Sequence, residues 1–99
     1  MPRNELSFEA SVERDKDGTW WYVHVPERIR VALKSFETRG HIRVRCAIGS
    51  TTWNASLMPW ADGSAQLVLK KQVRDSEHLQ LRQRILVRVT ALRAGSPGS

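Results

Sequence analysis

A short run of residue types occurs twice in this 99-residue chain. Val23-His-Val-Pro-Glu-Arg-Ile-Arg30 returns as Leu67-Val-Leu-Lys-Lys-Gln-Val-Arg74: alternating apolar residues, a polar pair, then an aliphatic residue and an arginine. Each copy reads as a strand running straight into a short helix. After gaps of similar length each resumes as a strand, His41-Ile-Arg-Val-Arg-Cys-Ala-Ile48 in the first half and Arg84-Ile-Leu-Val-Arg-Val-Thr90 in the second. Neither half is large enough to bury its apolar face alone, so the repeat predicts one pseudo-symmetric barrel with a single core.

Alternation and turn chemistry place the strands. Leu6, Phe8, Ala10 and Val12 alternate with Ser7, Glu9, Ser11 and Glu13, and Asp17-Gly18 follows as a type I′ hairpin signal. That turn sets Val12 opposite Val23 and Ala10 opposite Val25. Pro26 suits the first turn of a helix, and Ile29, Ala32, Leu33 and Phe36 give it an apolar stripe. In the next hairpin Gly49-Ser50 suits a type II′ turn, which sets Cys46 opposite Trp53, Val44 opposite Ala55 and Ile42 opposite Leu57. A two-residue Asp62-Gly63 turn would then oppose Leu57 with Val68, whereas the repeat wants Leu67 and Leu69 inward. A bulge or longer loop near Pro59 resolves the conflict. The expected architecture is mainly β, a six-stranded barrel with helices near residues 26–36 and 71–77. Phe8, Val23, Val25, Leu33, Val44, Cys46, Trp53, Leu57, Leu69, Val87 and Val89 are its expected core.

Residues 1–5 read as an extension, 6–92 as the barrel domain and 93–99 as a disordered tail. No apolar run approaches the roughly 20 residues needed to cross a bilayer. The start Met1-Pro-Arg-Asn-Glu5 carries no apolar signal core. The single Cys46 has no cysteine partner for a disulfide or a metal. A cytoplasmic protein without membrane contact is the expectation. Charge is uneven: residues 1–27 hold six acidic and three basic side chains, and residues 28–99 hold four and thirteen. Twelve of the sixteen cations are arginine, whose planar fork grips phosphate and carboxylate bidentately.

Phe8-Glu-Ala10, Trp21-Tyr-Val-His-Val-Pro26, the Ile48-Gly-Ser-Thr-Thr-Trp-Asn-Ala-Ser-Leu57 hairpin and Leu69-Lys-Lys-Gln-Val-Arg74 resemble the small bacterial family catalogued as domain of unknown function 1905. The resemblance spans about residues 6 to 90. It implies a six-stranded double-split β-barrel with two short capping helices. The plan is similar to that of swapped-hairpin transition-state regulators, but made by one chain, and it implies no established activity. The family commonly places glycines late in the second half, where this chain has His78 and Arg82-Gln83.

Catalytic, metal-binding and cofactor-binding constellations are not read from the sequence. His24, His41 and His78 are scattered, none at helical spacing from another histidine or beside the cysteine. Two surfaces are candidates for binding. Arg43 and Arg45 point outward beside Ser56 and Asn54, and with Lys70, Lys71 and Arg74 suit sequence-tolerant phosphate contacts. Trp20 and Tyr22, in line with His24, form an aromatic row that suits burial against a protein partner or stacking on bases. The expected function is a non-enzymatic binding module with a protein-interaction or scaffold role, nucleic-acid binding being the alternative. It is expected to act as a monomer or weak homodimer, without a cofactor.

Overall fold

The computed structural model describes residues 5–92. Its elements are β1 (Glu5–Ser11), β2 (Glu13–Arg14), β3 (Trp21–Val25), α1 (Glu27–Ala32), a short 3-10 helix (Lys34–Phe36), β4 (Ile42–Ile48), β5 (Thr51–Pro59), β6 (Ala65–Val68), α2 (Lys71–Ser76) and β7 (Arg84–Ala91). The disordered tail expected over residues 93–99 and residues 1–4 of the expected extension lie outside the described residues, whereas Glu5, the last residue of that extension, belongs to β1 and pairs with Thr90. Among the described residues no helix is long and apolar enough to cross a membrane.

All pairings are antiparallel, in the order β1-β7-β4-β5-β6-β3-β2. The first and last strands of that row are consecutive in the chain, separated by Val12 alone. The sheet therefore returns on itself as a nearly closed barrel. Seven strands form where six were expected, because the first expected strand is divided. β1 pairs with β7, Val12 exchanges bonds with the loop before β7 (Val12 N–H to Gln83 O, Arg82 N–H to Val12 O), and β2 then pairs with β3. Ala10 accordingly lies opposite Ile85 and not opposite Val25.

The β2–β3 pairing, Glu13 opposite Tyr22 and Arg14 opposite Trp21, is the register that the Asp17-Gly18 turn implies. The turn itself differs. Type I′ needs positive φ at both central residues, and here only Gly18 has it, at 72°. Asp15 closes a wider loop instead: its N–H donates to Trp20 O, its carboxylate accepts from Trp20 N–H, and its carbonyl accepts from Gly18 N–H. The β4–β5 register is the one the sequence implies, Cys46 opposite Trp53, Val44 opposite Ala55 and Ile42 opposite Leu57, with Gly49 at φ 58° in the turn. Between β5 and β6 the longer loop is present. Trp60 N–H donates to Ser64 O and Gly63 N–H to Trp60 O, with Gly63 at φ 93°, a three-residue connection of the bulge type. The resulting one-residue change of register turns Leu67 and Leu69 inward, where both are buried.

Both copies of the repeat pass from strand to helix through the same backbone, Pro26 at φ −60°, ψ 152° and Lys70 at φ −66°, ψ 155°. Ile29 and Val73, equivalent in the repeat, are the residues each helix buries. The first helix ends sooner than its stripe suggests. Leu33 leaves α-helical geometry at φ −101°, ψ 8°, the chain tightens to 3-10, and Ala32 is left exposed while Leu33 stays in the core. The late positions where the family resemblance leads to glycine do adopt left-handed backbone: His78 at φ 53° and Arg82 at φ 69°.

The core runs through the barrel from Phe8 to Ala91 and includes ten of the eleven residues named from sequence. Trp53 is the exception, being only partly buried. Its strand face is correct, but it lies beside a groove shared with Gln72, Val73, Asp75 and Ser76, which leaves one side of the indole uncovered. Trp53→Ala is therefore expected to cost about 1–3 kcal/mol in urea denaturation, below the roughly 3–5 kcal/mol of an enclosed large aromatic. A loss in that higher range would mean α2 seals the groove in solution.

Candidate functional site: a basic sheet face

Strand alternation puts Arg43 and Arg45 on the outer face of β4, opposite Ser56 and Asn54 of β5. On its other edge β4 pairs with β7, with Arg45 opposite Thr90 and Ala47 opposite Arg88. Arg88 thus joins the two expected arginines on one face. Its guanidinium donates to Gly49 O at 2.8 Å, and that of Arg45 donates to Thr52 Oγ1 at 3.3 Å. Among the described residues no carboxylate lies within ion-pair distance of Arg43, Arg45 or Arg88. The outer-face pair nearby is Arg84 with Glu9 at 3.5 Å. Hydroxyl and amide groups from Ser7, Thr52, Asn54, Ser56 and Thr90 surround the three cations through the register. The arrangement offers several N–H forks without a competing internal anion, beside neutral donors that phosphate oxygens accept from.

The other three expected cations sit elsewhere. Lys70 is exposed just before α2, Lys71 is bound to Asp75 at 2.8 Å, and the Arg74 guanidinium lies over the Trp21 ring at 4.7 Å. α2 packs on β5, and Thr52 borders both regions: it bonds to Arg45 and lines the groove with Gln72 and Asp75. Lys71 places its ammonium on Asp75, whose carboxyl is held below its ordinary range by that hydrogen bond first and by the nearby charges of Lys71, Arg74 and His78 after it. The local positive charge of α2 is thereby reduced.

The aromatic row is regrouped. β3 begins at Trp21, so Trp20 stands in the preceding loop, 53 % exposed. Tyr22 and His24 do share the outer strand face, and Trp60, from the β5–β6 loop, covers them edge-on with centroids at 5.9 Å and 4.6 Å. The Trp60 indole N–H donates to Gln66 Oε1 at 3.1 Å, and Gln66 is opposite His24. Sequence alternation could not find this packing, because Trp60 lies in a loop. Asp62 sets that loop by accepting from both the N–H and the hydroxyl of Ser64, which holds its carboxyl below the ordinary range.

Cys46 is fully enclosed between β5 and β7, and burial pushes its thiol up to about 12 from 9.0. A thiol so raised is a packing group and not a nucleophile at neutral pH. The fold holds the neutral form, so its contribution is complete below about pH 9 and is lost as pH rises from there toward 12. Wild type is expected to lose stability faster than Cys46→Ala over that window, by up to about 1.4 kcal/mol per pH unit. Parallel pH dependences of the two proteins would show that the thiol ionises equally well when folded.

A family model described as Domain of unknown function (DUF1905) matches residues 8–89, which covers every strand except the outer ends of β1 and β7, along with both helices and all three arginines of the basic face. No curated protein matches the chain.

Proposed function

Because this chain belongs to the DUF1905 family, whose description assigns no chemistry, we propose its role from its own residues: a non-enzymatic, single-chain double-split barrel that binds nucleic acid through the arginine face of β4 and β7. The double-split reading counts β1 and β2 as one strand shared between two sheets, giving six. Register supports it. Val23 pairs with Leu67, its own counterpart in the repeat, and Cys46 pairs with Val89, the counterpart in the resumed strands. Residues facing their own counterparts in antiparallel strands mark a local two-fold axis.

The observation that carries the binding proposal is the outward set of Arg43, Arg45 and Arg88 with no ion-pair partner among the described residues. Arg45 and Arg88 are counterparts about the Cys46–Val89 pair, so the axis brings them together as diagonal neighbours. A protein-docking role, ranked first on sequence alone, draws its support from exposed Trp20 at 53 %. It has the weaker case, because no ring contact joins Trp20 to the half-buried Tyr22 and Trp60. The test is anisotropy of labelled mixed-sequence DNA and RNA over a salt series. Three phosphate contacts give a log–log slope of about −2 to −3. Absence of affinity at low salt overturns the proposal and leaves Trp20 and Tyr22 as the surface to examine.

A further inference from the structure

Arg30 and Arg74 occupy the same place in the repeated segment, but the fold uses them differently. Arg30 Nη1 donates to the carbonyls of Trp60 and Ser64, each at 3.1 Å, and so clamps the β5–β6 loop. Ser64 directly precedes Ala65, and the corresponding residues in the first half are Trp20 and Trp21. Where one half has a methyl group, the other has an indole. Arg74 lies over that indole, and none of its guanidinium N–H donors meets an acceptor among the described residues. Its Nε is shut off from solvent without a partner. A guanidinium so placed is oriented by the ring, partly stripped of water and not satisfied by protein, which is the condition under which an oxyanion gains most from a planar fork.

A groove of about 620 Å³ opens beside it, lined by Trp21, Arg74, Asp75, His78, Leu79 and Gln80. Its carboxylate, Asp75, is occupied by Lys71 at 2.8 Å. His78 and Gln80 add side chains able to donate.

We propose that this groove binds a small oxyanion, the phosphate or carboxylate group of a low-molecular-weight ligand, gripped by Arg74 with Trp21 holding the guanidinium in place. The site is separate from the sheet face, and neither depends on the other. It exists because the repeat is imperfect at Trp21.

Isotope-labelled protein titrated with inorganic phosphate, and in a second arm with acetate, tests this through the arginine Nε–H and indole N–H signals. Saturable movement of the Arg74 and Trp21 signals, with those of Arg30 unmoved, is the expected behaviour, and the arm that saturates names the oxyanion. Arg74→Lys keeps the charge but not the fork, and affinity should fall about tenfold or more. Movement that never saturates, or none at Arg74, overturns the proposal from the wild-type titration alone. Equal affinity of the lysine variant does so too, by reducing the site to diffuse charge.

Discussion

Leu67→Ala is expected to lower the unfolding free energy by about 2–5 kcal/mol, the range for truncating an enclosed leucine. Leu67 has no solvent exposure and pairs with Val23, itself fully enclosed, at the junction of the two halves. Its neighbours come from paired strands held by their ladders, so the cavity left by the deleted atoms has little means of collapse. That places the cost toward the upper part of the range. Urea denaturation followed by far-UV circular dichroism measures it, and the midpoint should move without a change of slope. A loss under about 1 kcal/mol would mean that the β3–β6 seam is not part of the cooperative core.

The double substitution Arg43→Ala with Arg45→Ala addresses the proposed interface. Both side chains are exposed and neither is in an ion pair among the described residues, so folding stability should change by less than about 1 kcal/mol. Nucleic-acid affinity should instead fall for every sequence alike, and the salt slope should flatten by about 2 units, close to one for each phosphate contact removed. Adding Arg88→Ala should remove most of the remaining slope. An unchanged slope in the double variant would move the contact surface away from β4.

How far the sequence reveals this architecture depends on the range of the forces involved. The β4–β5 register is legible because Gly49-Ser50 permits only a tight turn, and alternation then fixes every pair. The division of the first strand at Val12 is not, since it depends on where β7 and β3 lie. Trp53 shows the same limit. Parity tells which way it faces, while the groove under α2 decides how much of it is covered. Of the site, Arg43 and Arg45 are read directly from alternation. Arg88 was equally readable, as the counterpart of Arg45 in the repeat and as the residue flanked by Val87 and Val89. Lys71 and Arg74 show why a count of cations overstates a patch: Asp75 and Trp21 engage them through contacts that composition does not reveal.

The pairing of β1 with β7 joins the two ends of the barrel, Glu5 with Thr90 and Ser11 with Arg84. During synthesis β1 leaves the ribosome first, and its partner emerges last. At about 5–20 residues per second this strand waits on the order of ten seconds with a full edge unpaired. An apolar strand left open that long would recruit neighbouring nascent chains. Here every second position of the waiting strand is Glu5, Ser7, Glu9 or Ser11, so one face stays charged and hydrated until β7 arrives. The acidic bias of the N-terminal region is thus suited to vectorial synthesis, and Glu9 meets its cation Arg84 only once the last strand is in place.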